Sequence, residues 1–247
     1  MSHNQPIRFE PSPKRIRAII DGETIADSLK AVLLLEKGHL PVYYFPRDDV
    51  RLDLLERSGH STHCPHKGDA SYWHAKAGDS FIENAAWGYE EPIPESRPIE
   101  GYIAFYWDKM GHWLEEDEEV IGHPHDPYHR IDLRLSERTM KVMFGGETIA
   151  KTGRSLFLFE TGLPTRYYIP PEDVRTDFLE RMKKTTICAY KGTASYWSLK
   201  VGEQVSKEAV WAYEDPLPEY PRIKGCFCFQ PEKVDEISVE GEKPSAA

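Results

Sequence analysis

Cysteine, lysine, glutamate and tyrosine residues recur at matching places in the two halves of this 247-residue chain. CPHKGDASYW at 64–73 returns as CAYKGTASYW at 188–197, and the other shared motifs keep the same offset without a gap. A carboxylate such as Glu36, which ends an apolar run, must meet a cation, a tyrosine or water if it is buried. Inward-facing tyrosines and cations beside it would form a pocket for a small anionic or aromatic ligand.

We therefore predict one ligand pocket in each half and no cofactor. The predicted ligand-binding residues are Glu36, Tyr44, Arg51, Cys64, Lys67, Tyr72, Trp87 and Tyr89 in the first half, and Glu160, Tyr168, Arg175, Cys188, Lys191, Tyr196, Trp211 and Tyr213 in the second. The alternative interpretation is a buried network of ion pairs that binds nothing.

Cys64 and Lys67 are the candidate catalytic residues, because a thiol near cations favours the nucleophilic thiolate. Three histidines close to Cys64 in the sequence would add to this effect: His60, His63 and His66. Cys188 has no histidine at the corresponding positions, so this setting is not duplicated. The alternative for either cysteine is a small buried hydrophobic residue.

The same histidines and Cys64 could also supply metal ligands. A structural zinc site needs four ligands in a tetrahedral arrangement, commonly from paired CxxC motifs, and the sequence has no CxxC. We therefore predict no metal site. Motifs for dinucleotide binding, phosphate-binding loops, serine hydrolases and zinc proteases are also absent.

The composition narrows the class of partner and compartment. The chain carries 31 basic and 41 acidic residues, a net charge of −10, which argues against nucleic acid and anionic membrane surfaces. No apolar run is long enough to span a membrane, and the first residues lack the apolar core of a secretory signal. Four cysteines are too few for a disulfide scaffold, so we predict a cytoplasmic protein.

The gapless repeat predicts two self-sufficient domains. We place copy one at 14–121, a connector at 122–137 and copy two at 138–231, followed by a flexible tail at 232–247. The acidic run at 115–119 is predicted to be a solvated helix or a linker.

Each copy is predicted to be mainly β with one short helix. Asp21-Gly22 and Gly145-Gly146 mark hairpin turns, and Gly78-Asp79 separates two further strands. Residues 48–57 have acidic residues followed by apolar residues at helical spacing, which predicts the helix. Short strands joined by turns in this way favour a small barrel or sandwich in each copy.

The segments LLLE, YYFPRDDVR, CPHKGDASYW and NAAWGYEEP strongly resemble the family called domain of unknown function 427. The second half resembles it through CAYKGTASYW and VWAYEDPLPE, and HPHDPYHR resembles the segment that joins tandem members. The resemblance implies a compact mainly-β domain of the β-tent (Mss4-like) group, present twice. Several relatives in that group bind zinc through paired cysteines, which this sequence lacks.

Three functions are compatible with these residues. The first, which we favour, is binding of a small anionic or aromatic metabolite in each domain. The second is an enzyme, either a nucleotidyltransferase-like one, as some classifications label the family, with Lys67 and Arg51 holding phosphate, or a thiol-dependent one using Cys64. The third is a structural role, in which the two copies form an intramolecular pseudo-dimer without catalysis.

Overall fold

The computed structural model describes residues 7–241, and the chain divides into two compact units, residues 1–126 and 127–247. We call them the first and second domain. The strands of the first domain are β1 (Ile7–Pro11), β2 (Ile16–Ile20), β3 (Glu23–Ser28), β4 (Val32–Glu36), β5 (Val42–Pro46), β6 (Leu55–Cys64), β7 (Gly68–Ala77), β8 (Ser80–Gly88), β9 (Tyr102–Phe105), β10 (His112–Glu115) and β11 (Glu118–Glu119).

The first domain has two antiparallel sheets. One has seven strands in the order β1-β4-β5-β9-β8-β7-β6, and the other has four in the order β11-β10-β2-β3. Both orders are open, so neither sheet closes into a ring of strands. The hairpin between β2 and β3 turns at Asp21 and Gly22, whose φ angles of 49° and 79° confirm the predicted left-handed turn.

The second domain repeats this topology. Its strands are β12 (Ile131–Ser136), β13 (Met140–Phe144), β14 (Glu147–Thr152), β15 (Ser155–Glu160), β16 (Arg166–Tyr168), β17 (Leu179–Cys188), β18 (Gly192–Val201), β19 (Gln204–Pro216), β20 (Phe227–Phe229) and β21 (Glu236–Val239). Their sheets run β12-β15-β16, β17-β18-β19-β20 and β14-β13-β21. Backbone hydrogen bonds of 2.8 and 2.9 Å between Ile169 and Phe227 join the first two, which together match the seven-stranded sheet.

β4, within the seven-stranded sheet of the first domain, is buried on both faces, which explains its unbroken apolar run. Leu33 and Leu35 pack in the core that includes residues of the four-stranded sheet, whereas Leu34 packs on the opposite face. Tyr44 and Tyr72 belong to that opposite face. Because side chains alternate along a strand, one sheet supplies both the central core and a second, aromatic face.

Across residues 7–241 the helical content consists of isolated 3-10 turns, so the predicted helix at 48–57 is wrong. The turns are Arg47–Asp49, Leu52–Leu54, Pro94–Ile99, Trp107–Lys109, Pro171–Asp173, Thr176–Phe178, Pro221–Ile223 and Pro231–Lys233. Leu55 and Arg57 instead pair with Ala75 and Trp73 across β6 and β7. Pairing with a strand distant in the sequence overrides the local helical spacing.

The acidic run at 115–119 is a β-hairpin and not a solvated helix or linker. Glu115 ends β10 and is buried, where it accepts a hydrogen bond of 2.5 Å from Tyr43 and pairs with Lys14. Glu116 has a φ of 51° at the turn, and Asp117 pairs with Arg17 at 2.7 Å. Glu115 and Asp117 are thus paired with residues about a hundred positions away, which fixes the hairpin to β2 and the chain before it.

Three strands lie outside the predicted bounds of the copies. β1 precedes residue 14, β12 falls in the predicted connector, and β21 falls in the predicted flexible tail. Each is held by pairing to a strand far along the chain, β1 to β4, β12 to β15 and β21 to β13. The rest of the predicted tail, 242–247, lies outside the described residues.

No helix within residues 7–241 combines the length and the apolar character needed to cross a membrane.

Candidate functional site

An aromatic cleft of about 530 Å³ lies on the second face of the seven-stranded sheet in the first domain. β4, β5, β7 and β8 bring its residues together, and the turn after β6 adds Lys67. Six predicted site residues line it: Glu36, Tyr44, Lys67, Tyr72, Trp87 and Tyr89. Strand alternation explains this grouping, because Tyr72 lies on the opposite face of β7 from Ser71 and Trp73.

Lys67 and Glu36 form a buried ion pair at the cleft. The Lys67 ammonium donates to Glu36 Oε2 at 2.6 Å, and the two side chains are 9% and 17% exposed. The backbone fixes this lysine, since its N–H donates to the Cys64 carbonyl and its own carbonyl accepts from Ile93. The cleft therefore contains an ammonium and a carboxylate group that neutralise each other, and His39 also lines it.

Tyrosine and tryptophan rings form the wall of the cleft. Trp87 Nε1 donates to Tyr44 Oη at 3.1 Å, and their rings meet edge to face. Tyr106 lies 4.5 Å from Trp87 between ring centroids. Tyr72 Oη is 2.8 Å from Thr62 Oγ1. These contacts hold the rings in place, so the wall is preorganised before any ligand arrives.

Three phenols of the cleft, those of Tyr44, Tyr89 and Tyr106, stay protonated at neutral pH. Burial raises the pKa of Tyr44 and of Tyr89 well above the usual value for tyrosine. Burial, with a hydrogen bond to Tyr72, raises the pKa of Tyr106 to about 12. The hydroxyls of Tyr44, Tyr89 and Tyr106 are therefore neutral groups at neutral pH, and none of these three is a base there.

The second domain has the corresponding ion pair, and there it is more deeply buried. Lys191 donates to both oxygens of Glu160, at 2.8 and 2.7 Å, and each side chain is only 7% exposed. Burial also raises the pKa of Tyr168 and of Tyr213. Tyr168 and Tyr213 lie 6.4 Å apart between ring centroids.

Two further side chains contact the second-domain site. His129 Nε2 lies 2.9 Å from Glu160 Oε1, and the His129 ring stacks on Tyr190 at 4.4 Å. Arg166 lies over the Trp211 ring at 5.5 Å. The first domain has Val42 and Tyr106 where the second has Arg166 and Gln230. The two sites thus share a framework and differ in what lies against it.

Arg51 and Arg175 do not join these sites, contrary to the sequence prediction. Arg51 Nη2 pairs with Asp53 at 2.6 Å, and Arg175 Nη2 pairs with Asp177 at 2.8 Å. Both guanidinium groups are about half exposed, and Arg51 is not among the residues lining the cleft. The predicted second cation is therefore missing from the pocket of the first domain.

Cys64 is not among the residues that line the cleft. Cys64 ends β6 and Cys188 ends β17, and both side chains are half-buried. Two of the histidines near Cys64 in the sequence contact other residues. His63 pairs with Asp69 at 2.6 Å, and the His60 ring packs against Tyr72.

The residues predicted from the sequence did not include Tyr106, His129 or Arg57. Tyr106 lies beyond the last strand of the sheet, and His129 lies in the predicted connector, so neither is a shared residue of the repeat. Arg57 is shared, as Arg181, and bonds Ser71 at 2.8 Å and Glu90 at 2.6 Å on the other face of the sheet. Its identity in both halves was the available signal.

Within residues 7–241 no group of three or more histidine, cysteine, aspartate or glutamate residues could hold a metal ion.

Comparison with known proteins identifies both halves. No curated protein matches the chain. The family described as a domain of unknown function (DUF427) matches residues 8–116 and again residues 132–240. Each match begins in the first strand of a domain and extends past the ion pair and the aromatic wall. The chain therefore belongs to the DUF427 family and carries two tandem copies of its domain.

Proposed function

We propose that the first domain binds a small planar ligand in the cleft beside Lys67 and Glu36. The observation that carries this proposal is a preformed cleft of about 530 Å³ whose wall is built from rings, with a buried ion pair at its side. Ligand sites are typically concave and mostly apolar, with a few fixed polar groups that orient the ligand.

The same geometry favours the aromatic over the anionic part of the predicted ligand class. The Lys67 charge is matched by Glu36 at 2.6 Å, and Arg51 is directed elsewhere. An anion entering the cleft would meet a carboxylate as well as the ammonium group. A planar ring gains contact with Trp87 and Tyr106 without separating the ion pair.

A thermal-shift screen of planar ring compounds tests the proposal. A ligand that binds only the native state raises its unfolding temperature, so binders at millimolar concentration give a measurable shift. The screen includes nucleotides, sugar phosphates and organic acids, which represent the anionic alternative. If no ring compound raises the unfolding temperature, the proposal is wrong.

Val42→Arg then locates the binding site. The second domain has Arg166 at this position, so the fold accepts arginine there, and its guanidinium lies over Trp211. We expect the substituted arginine to cover Trp87 in the same way and to weaken ring binding at least about tenfold. Leu29→Arg, at a side chain 72% exposed and outside the cleft, is the matched control and leaves affinity unchanged. Equal binding by the two variants would place the ligand elsewhere.

A further inference from the structure

The second domain shows a nitrogen heterocycle already seated against its ion pair. The His129 side chain is 19% exposed, its ring is stacked on Tyr190 with an interplanar angle of 23°, and its Nε2 lies 2.9 Å from Glu160. Because a carboxylate oxygen accepts, Nε2 donates its N–H to Glu160. Glu160 thus binds two donors at once, the Lys191 ammonium and a flat ring.

The corresponding carboxylate of the first domain has room for such a donor. Within residues 7–241, Lys67 is the hydrogen-bond partner of Glu36, and it uses Oε2. Oε1 has no partner there, and Glu36 lines the cleft. The sequence position that matches His129 is Gln5, which has no ring and lies outside the described residues.

The tryptophans of the two sites have different neighbours, and here too the second domain supplies a nitrogen group from its own chain. Trp211 has the Arg166 guanidinium over its ring, whereas Val42 stands at that position beside Trp87. A guanidinium is a planar cation, and the face of an indole ring attracts cations. The second domain therefore has an imidazole ring and a guanidinium group at two positions where the first domain has Gln5 and Val42.

We infer that the ligand of the first domain is a planar nitrogen heterocycle that donates an N–H to Glu36 Oε1 and packs against Trp87. This inference rests on the proposed function and specifies its ligand class. The ring of the ligand takes the role that His129 has in the second domain, and its electron-poor edge faces the carboxylate. Planar anions should bind weakly, because the negatively charged Glu36 carboxylate would repel them.

Three probes of similar size test the N–H requirement on the full chain. Benzimidazole has a ring N–H, 1-methylbenzimidazole has the same ring without it, and benzoate is a planar anion. Titration calorimetry at slightly alkaline pH, where both benzimidazoles are neutral, measures their affinities. We expect benzimidazole to bind about tenfold more tightly than the other two, as befits one hydrogen bond to a charged group.

Variants of the ion pair link this preference to Glu36. Removing one charge of a buried pair can prevent folding, so the test uses Glu36→Leu combined with Lys67→Met, which removes both charges and the accepting oxygens. The double variant loses the preference for benzimidazole over its methyl derivative. Glu56→Leu, at an exposed glutamate paired with Lys76, is the matched control and keeps it.

The outcomes separate the two proposals. Binding of all three probes with equal affinity, or a preference for benzoate, overturns the N–H requirement and leaves the cleft as a ligand site. A preference that survives in the double variant overturns the role of Glu36. If none of the probes binds, while a ring compound without an N–H raises the unfolding temperature, only the ligand class is wrong. If no planar compound binds at all, the proposed function falls as well.

Discussion

Lys191 and Glu160 are the charged pair that the second domain buries most completely. Two hydrogen bonds join them, and His129 adds a third donor to the same carboxylate. Such a pair is costly to desolvate, and its members depend on each other once they are buried. At the scale of single residues, this dependence is the property that an experiment can isolate.

Lys191→Met should lower the free energy of unfolding of the second domain by about 3 kcal/mol or more, because Glu160 loses its main counter-charge. The combined change of Lys191→Met with Glu160→Gln should cost less than the single change, since no unpaired charge is left buried. Chemical denaturation followed by circular dichroism measures both.

The control for this prediction is Lys200→Met in the same domain. Lys200 pairs with Glu180 at 3.0 Å, but both side chains are more than half exposed. An exposed pair contributes about 0–1 kcal/mol, so this variant should be nearly as stable as the parent chain. If Lys191→Met were equally harmless, the buried pair would have no structural role.

At the scale of elements, Asp173 connects β14 to the 3-10 turn Pro171–Asp173. Thr152 Oγ1 donates to its carboxylate at 2.7 Å, and Arg154 Nε donates at 2.9 Å. The bond from Arg154, opposed by partial burial and supported by Thr152, holds the pKa of Asp173 below its usual value of 3.8. The folded state therefore favours the ionised carboxylate.

This lowered pKa gives a stability contribution with a definite pH dependence. It is fully present above 3.8, the value in the unfolded chain, and is lost as the pH falls through the lower folded value. Asp173→Asn should therefore reduce stability by about 1 kcal/mol at neutral pH. The difference from the parent chain should vanish in acid below that folded value.

Thermal unfolding of both proteins across this pH range measures the effect. Asp177→Asn is the control, because Asp177 forms a similar arginine pair but is more exposed than Asp173, and its loss should change stability less. A difference between Asp173→Asn and the parent chain that stays constant from neutral to acidic pH would contradict the assignment.

The hairpins could be predicted from the sequence, whereas the element after β5 could not. Asp21-Gly22 and Gly145-Gly146 carry their turn preference locally, and the chain does turn there. The stretch that follows Asp48 has helical spacing, but Leu55 is fixed by Ala75, twenty positions away. Local patterns are reliable where the deciding interaction is local and fail where a distant strand decides.

The candidate site, like the fold, could be predicted from the sequence only in part. Recurrence in both halves identified Lys67, Glu36 and three tyrosines, all of which line the cleft. It also selected Arg51, whose partner Asp53 is equally shared, so recurrence alone could not separate a surface pair from a cleft residue. His129 could not be found in this way, because the matching position of the first half is Gln5, a different residue.

At the scale of the whole molecule, each domain has its own hydrophobic cores. The first domain buries Phe45, Phe105 and Trp113 between its sheets, and the second buries Phe157 and Leu199 in the equivalent region. Duplication has thus kept the framework twice while the two ion-pair sites have diverged. That the copies act as an intramolecular pseudo-dimer remains a prediction.

Divergence of the sites implies a division of roles within one chain. The second domain presents His129 and Arg166 to its own site, and the first presents a cleft to an external ligand in our proposal. This two-domain chain should therefore bind one ligand molecule, in its first domain, and not two.

The number of benzimidazole molecules bound per chain, measured by titration calorimetry on the full protein, tests this account most directly. We predict one, lost in the Val42→Arg variant and kept in the Leu29→Arg control. Two equivalent molecules per chain, or a single one still bound when arginine replaces Val42, would contradict it.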